Sequence, residues 1–161
     1  MSVATAISLA EATELIWTEA DHLDRRAYDD WLELYTADAH YIVPIDPDAD
    51  DYADVLNYAY DDADMRRMRV ARLKSRFSMS ALTAARTVRT VSRFIVTGSG
   101  PDGMTLRAAQ HLVEYRRDAT RTVAADVDYR LRREDGKLRI ARKVVKLVNS
   151  EDAVSGIGYL L

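Results

Sequence analysis

The chain has 161 residues, no cysteine and three histidines, and its 26 acidic and 23 basic residues leave a formal net charge of -3. The absence of cysteine excludes disulfides, thiolate chemistry, iron–sulfur clusters and cysteine-ligated zinc. The slight acidic excess argues against a nucleic-acid binder, which usually carries a basic surplus. No apolar run approaches the roughly 20 residues that span a bilayer, and residues 1–12 lack a signal-peptide pattern. These features predict a single soluble, cytoplasmic domain over residues 1–161 that binds neither nucleic acid nor membrane.

The first half of the chain is predicted to be mainly helical. Ser8 and Glu11 fit a capping box, which predicts that a helix begins here and runs over about residues 9–24. The segments that follow are a helix over about 28–35, a β-prone run over 39–45, an acidic loop over 46–51, a short strand or helix approach over 54–60, and a helix over about 61–74. Aspartates open this last helix and arginines close it, which is the charge order that the helix dipole favours.

From Thr87 onward the pattern is that of β-strands. Strands are predicted over 88–97, 104–116 and 123–131, with a glycine-rich turn over 98–103 and a hairpin turn at Asp135-Gly136. The apolar alternation changes phase between Ile140 and Val145, and a β-bulge near Arg142 and Lys143 would explain the change. The fold class is therefore α+β, with helices gathered on one face of a curved, mainly antiparallel sheet.

The residues that carry chemistry in other enzymes are sparse and scattered. His22, His40 and His111 fall on three different predicted elements, whereas an iron site with two histidines and one carboxylate needs two of them together. The sequence contains neither a Gly-x-Ser-x-Gly elbow nor a glycine-rich loop before a helix. His111 and Tyr115 share one face of a predicted strand, so they would suit acid–base chemistry if that face lined a pocket. The simpler interpretation is that His111 is a hydrogen-bonded core or interface residue.

Four groups of residues, in chain order, match the motifs of one family. Residues 19–32, EADHLDRRAYDDWL, match the pattern E-A-x-L-L-D-x-R-x-Y/F-x-x-W-L. The other matching segments are 60–62 with 68–73, which follow Y-D-D…L-x-x-R-V-x-R-L, then 86–94 and 138–145, which follow two strand motifs. Arg93 stands where the family usually has Asn, and Leu138 replaces a Trp. Together these segments resemble the small (β) subunits of Rieske-type aromatic-ring-hydroxylating dioxygenases over nearly the whole chain.

The resemblance implies a cone-shaped NTF2-like fold and a structural role in aromatic-compound degradation. In this family the catalytic α subunit holds both the Rieske 2Fe-2S cluster and the mononuclear iron. The β subunits form a trimeric base beneath three α subunits, in an α3β3 hexamer. By this resemblance the chain is a non-catalytic subunit that is inactive in isolation and has no cofactor, metal ligand or catalytic residue of its own.

Charged residues in the matched segments become candidates for structural or interface ion pairs. They are Asp24, Arg69, Arg72, Arg86 and Arg142. Arg72 lies between Ala71 and Leu73, which predicts that its guanidinium is buried and paired, with Asp24 as the expected partner. Arg67 is predicted to be exposed. The apolar run 157–161 is predicted to dock onto the domain, and the long sheet predicts a homotrimer or a hetero-oligomer.

Two other functions fit the same fold. One is a stand-alone NTF2-like isomerase or dehydratase with an acid–base pocket inside the cone. Val43 stands where the isomerase-like pattern has its aspartate base, but a dehydratase that uses Asp24, His40 or His111 stays open. The other is a non-catalytic homo-oligomer that binds a small ligand or a protein partner.

Overall fold

The computed structural model describes residues 5–79, 85–150 and 159–161, and the side chains of 77–79 are outside that description. The helices are α1 (Leu9–Asp24), α2 (Tyr28–Glu33) and α3 (Ala63–Met79), with a short 3-10 turn at Tyr52–Asp54. The strands are β1 (Tyr35–Pro44), β2 (Asn57–Asp61), β3 (Arg86–Gly100), β4 (Gly103–Arg116), β5 (Ala119–Glu134) and β6 (Lys137–Leu147). Within these described residues, no helix has the length and apolar character needed to cross a membrane.

The six strands form one sheet in the order β2-β1-β6-β5-β4-β3. All neighbouring strands are antiparallel except β1 and β6, which run parallel. The helices cover one face, which we call the inner face, and the opposite face is called the outer face. This arrangement confirms the predicted α+β class with a mainly antiparallel sheet.

Helix α1 begins where its capping box predicts. The Ser8 side chain accepts a hydrogen bond from the Glu11 amide at 3.1 Å, and the Glu11 carboxylate accepts from the Ser8 amide at 2.9 Å. The buried side of the helix carries apolar residues at helical spacing, namely Ala12, Leu15, Ile16, Ala20 and Leu23. This stripe packs against the inner face of the sheet and forms much of the core.

The alternation of β5 and β6 separates the two faces of the sheet. Arg130 pairs with Arg142 but Leu131 pairs with Ile140, so Ala141 is an extra residue in β6. The predicted bulge is therefore confirmed, one residue before the expected position. The helix predicted over 28–35 ends at Glu33, and of the two alternatives predicted for 54–60, the strand is confirmed as β2.

Candidate assembly surface and the filled interior

A buried carboxylate lies at the centre of the interior. Glu19, on the apolar side of α1, accepts hydrogen bonds at Oε2 from Trp31 Nε1 at 3.0 Å and from the Tyr35 hydroxyl at 2.5 Å. Its Oε1 lies 2.9 Å from Lys143 Nζ and 3.4 Å from the Tyr129 hydroxyl. Burial lowers the pKa of Lys143 while Glu19 opposes that shift, and burial beside Glu19 raises the pKa of Tyr35 and Tyr129. Four donors occupy a carboxylate with about four acceptor positions, so Glu19 is a structural ion-pair partner rather than a poised base.

A second buried ion pair joins α1 to β3. Asp24 accepts hydrogen bonds from the Arg89 amide at 2.8 Å, from the Thr87 hydroxyl at 2.9 Å and from the Arg89 guanidinium. The Arg89 side chain is only 1% exposed. Asp24 therefore joins the end of α1 to Arg89 on β3.

The prediction that Arg72 is buried and pairs with Asp24 is wrong. Arg72 is exposed, because the buried stripe of α3 runs through Arg66, Val70 and Leu73 and leaves position 72 facing outward. The buried arginine of this helix is Arg66, whose guanidinium donates to the Ala39 carbonyl at 2.5 Å. The apolar and charged residues around position 72 are compatible with two different buried faces of the helix. Packing against the sheet buries the face that contains Arg66, not the face that contains Arg72.

The remaining arginine candidates have different environments. Arg69 forms a bidentate ion pair with the buried Asp61, at 2.5 Å from Nε to Oδ2 and 3.0 Å from Nη2 to Oδ1. Such a pair is strong and geometrically specific. Arg86 is exposed at the start of β3, and Arg142 is exposed with its guanidinium 5.6 Å from the centre of the Tyr52 ring.

The residues proposed for an acid–base pocket are not brought together. His40 is half-buried on β1 and packs against Tyr60, with ring centres 5.0 Å apart. His111 and Tyr115 are exposed on the outer face of β4, and the Tyr115 hydroxyl donates to Asp118 at 2.9 Å. Strands β6 and β5 separate β1 from β4. In the described parts of the chain, no group of three or more His, Cys, Asp or Glu residues is placed to hold a metal ion.

The outer face presents an apolar strip across β3 and β4. Val88 and Val113 are directly opposite each other in register and are 67% and 45% exposed, and Tyr115 beside them is 46% exposed. At the other end of the outer face, Arg130 and Arg142 lie directly opposite each other and line a groove of about 570 Å³. Exposed apolar strips on a sheet are candidates for contacts with another chain. We call the outer side of β3 and β4, with Val88 and Val113 at its centre, the assembly surface.

Sequence reasoning missed four of the residues that organise these regions. Glu19 stands inside the apolar stripe of α1, and Lys143 falls on the inward phase of β6 after the bulge, so both were visible as charges in buried positions. Val88 and Val113 form one apolar strip only because the register of β3 and β4 places them opposite each other, and the sequence does not give that register. Arg89 has no such signal, because its burial depends on where α1 ends against β3.

Comparison with known proteins agrees with this geometry. A family model described as the ring hydroxylating beta subunit matches residues 18–151. The small oxygenase component of the p-cumate 2,3-dioxygenase system of Pseudomonas putida is 33% identical over 144 residues, which cover 87% of this chain and 79% of that protein. The crystal structure of the beta subunit of benzoate 1,2-dioxygenase from Burkholderia mallei ATCC 23344 matches with a TM-score of 0.82 and 25% identity, over 97% of this chain and 99% of that chain.

A more distant structure confirms the fold alone. An NTF2-like protein with a cystatin-like fold from Novosphingobium aromaticivorans matches with a TM-score of 0.62 and 16% identity, over 87% of this chain and 81% of that chain. The NTF2-like fold implied by the sequence motifs is thus confirmed. The chain belongs to the family of beta subunits of aromatic-ring-hydroxylating dioxygenases.

Proposed function

We propose that this chain is the non-catalytic, cytoplasmic subunit of an aromatic-ring-hydroxylating dioxygenase and supports a separate catalytic α subunit. The observation that carries the proposal is the filled interior. The space where an NTF2-like enzyme would hold its substrate contains Trp31, Tyr35, Tyr129 and the Glu19–Lys143 ion pair, all buried. Each of these polar groups already has a partner inside the chain, so the interior supplies packing and not a reaction site.

The cofactors of the reaction belong on the α subunit. A Rieske cluster needs two cysteines and two histidines, and the chain has no cysteine. A mononuclear iron site needs histidines that converge, whereas His22, His40 and His111 lie on α1, β1 and β4. The residues of this chain therefore do not fit either group.

The assembly surface supports a role in building the complex. We propose that it is covered in a homotrimer of this chain, which forms the base of an α3β3 hexamer with three α subunits. Arg86 and Arg142 lie exposed on β3 and β6, where they are suited to pair with carboxylates of a neighbouring subunit.

Purifying the chain alone and together with a catalytic α subunit of a ring-hydroxylating dioxygenase from the same organism tests this function. The chain alone is expected to be colourless, to bind no stoichiometric iron and to turn over no aromatic substrate. The co-purified complex is expected to contain iron and to hydroxylate an aromatic ring. One tightly held iron per chain, with turnover by the lone chain, would overturn the proposal.

A further inference from the structure

Three residues near the end of the given sequence lie inside the domain rather than on its surface. Leu160 is 2% exposed and Leu161 is 4% exposed, and both belong to the main hydrophobic core. Tyr159 packs at the edge of the same core, and its hydroxyl donates to Glu114 Oε2. This confirms, for residues 159–161, that the segment docks; Ile157 and Gly158 lie outside the described residues.

The main chain of this segment is held by side chains. The Leu161 amide donates to the Tyr41 hydroxyl at 2.9 Å, and Lys143 Nζ donates to the Leu161 carbonyl at 2.8 Å. The Arg89 guanidinium donates to the Leu160 carbonyl. These three side chains come from β1, β6 and β3, so separate strands converge on one short piece of backbone. Recognition of main-chain groups by convergent side chains is the arrangement of a ligand site.

The groups that hold the segment are themselves anchored elsewhere. Lys143 is fixed by Glu19 at 2.9 Å, and Arg89 is fixed by Asp24 through its guanidinium and its amide. Removing the segment therefore leaves charged groups that are already positioned and paired. The Nε atom of Arg89 is buried and has no hydrogen-bond partner among the described residues. A site that is organised before its ligand arrives binds with less loss of conformational entropy.

We propose that the interior contains a peptide-binding site whose present ligand is residues 159–161 of the same chain. The site takes a short segment of the type aromatic–leucine–leucine. Arg89 and Lys143 each donate a hydrogen bond to a backbone carbonyl, and the Tyr41 hydroxyl accepts one from a backbone amide. Because the bound segment is tethered, its effective concentration is of the order of millimolar, and a free peptide competes only after the tethered segment is weakened.

The test uses the full chain with Leu160→Asp, which places a carboxylate in an apolar buried position. Val148→Asp is the matched control, because Val148 is 77% exposed. The probe is a fluorescent peptide with the sequence Ile-Gly-Tyr-Leu-Leu, and its anisotropy reports binding. We expect the Leu160→Asp chain to bind it at least about tenfold more tightly than the unchanged chain does. The Val148→Asp chain and the reversed peptide are expected to show no such gain.

A second substitution identifies the site. Adding Tyr41→Phe to Leu160→Asp removes the hydroxyl that accepts from the Leu161 amide at 2.9 Å and donates to the Leu161 carbonyl at 3.5 Å. Peptide binding should weaken by at least about fivefold, the effect of one hydrogen bond. Adding Tyr60→Phe, on the other side of the sheet, should leave binding unchanged. Equal effects of the two substitutions would overturn the assignment of this site.

Two further outcomes complete the test. If the Leu160→Asp chain is unfolded alone, its refolding with the peptide, but not with the reversed peptide, supports the proposal; failure to bind or refold overturns it. In the unchanged chain, the Leu161 amide should exchange its hydrogen slowly, because it is buried and bonded to Tyr41. Exchange at the rate of an unstructured peptide would overturn the proposal independently.

Discussion

Arg89 and Lys143 are buried basic residues whose charges are held in ion pairs, and this determines how substitutions at these positions act. Arg89 meets Asp24, and Lys143 meets Glu19, with the two basic side chains and Glu19 almost fully buried. Removing one member of such a pair leaves a charge in a medium that solvates it poorly. Replacing an exposed arginine, in contrast, removes only a charge that water already solvates, so the free energy of unfolding changes little.

Arg89→Leu and Arg72→Leu form a direct comparison of these two situations. Arg89→Leu should lower the free energy of unfolding by about 3–5 kcal/mol, because Asp24 stays behind without its ion-pair partner. Arg72→Leu should change it by no more than about 0.5 kcal/mol. Chemical denaturation at one fixed protein concentration measures both values, since assembly contributes to apparent stability. Equal denaturation midpoints would contradict the structural role of Arg89.

The interior tyrosines predict a loss of stability at high pH. Burial is the main cause that raises the pKa of Tyr35 and Tyr129 well above the ordinary value of 10, and it raises the pKa of Tyr41 to about 12. A raised pKa in the folded state means that these groups contribute stability below pH 10, which is lost as the pH rises through their folded values.

Tyrosinate absorbance during an alkaline titration checks this expectation. In the folded protein, Tyr35, Tyr41 and Tyr129 should ionise above pH 10, together with unfolding seen by circular dichroism. In denaturant all nine tyrosines should ionise in one step near pH 10. A single step near that pH in the folded protein, without loss of secondary structure, would show that the interior is open to water.

Among the elements, the connection between β3 and β4 depends on one glycine. Gly103 has a φ of +137°, and a Cβ placed there would lie 2.2 Å from the carbonyl oxygen of Leu131 on β5. The neighbouring strand therefore approaches the turn too closely for any side chain. Gly100, at the end of β3, has no atom within 4 Å of the equivalent Cβ position among the described residues.

Replacing each of these glycines with alanine compares a position where a side chain would clash with one where it would not. Gly103→Ala should lower the free energy of unfolding by about 1–3 kcal/mol, because it combines backbone strain with a main-chain clash. Gly100→Ala should be neutral within about 0.5 kcal/mol. Thermal unfolding of the two variants under identical conditions decides the point, and a Gly103→Ala protein as stable as Gly100→Ala would refute the close approach of β5.

For the whole molecule, the exposed apolar strip on the outer side of β3 and β4 is the feature that points to assembly. The helices cover the inner face only, and the strip formed by Val88 and Val113 is more exposed than apolar side chains in a closed core. A monomer would leave this strip in water, whereas a second subunit would bury it and recover hydrophobic free energy.

Charges on the assembly surface should separate the subunits without unfolding them. We expect the double variant Val88→Lys, Val113→Lys to keep its circular dichroism spectrum and to sediment as a smaller species than the unchanged chain. Leu56→Lys is the control, because Leu56 is 82% exposed and precedes β2 at the opposite edge of the sheet. Sedimentation velocity at micromolar concentration measures the effect. If only Leu56→Lys causes dissociation, the interface lies at the β2 edge of the sheet and not on β3 and β4.

Much of the local structure was predictable because it depends on neighbours in sequence. The capping box of α1 needs only Ser8 and Glu11, and the alternation of β5 needs only its own residues. The bulge in β6 was predictable from a change of phase within one strand. Arg72 shows the limit of this reasoning, since the charge pattern of α3 fits more than one buried face and only contact with the sheet chooses between them.

By itself, the sequence determined the class of the protein: an α+β chain without cysteine, whose motifs identified the dioxygenase beta-subunit family. Only the tertiary structure decided which charges pair and what fills the interior. The Arg89–Asp24 contact joins residues 65 positions apart, and the Lys143 ammonium meets both Glu19 and the Leu161 carbonyl. Periodicity reports which side of its own element a residue faces. It carries no information about which other element arrives on that side, and burial of a charge requires that second fact.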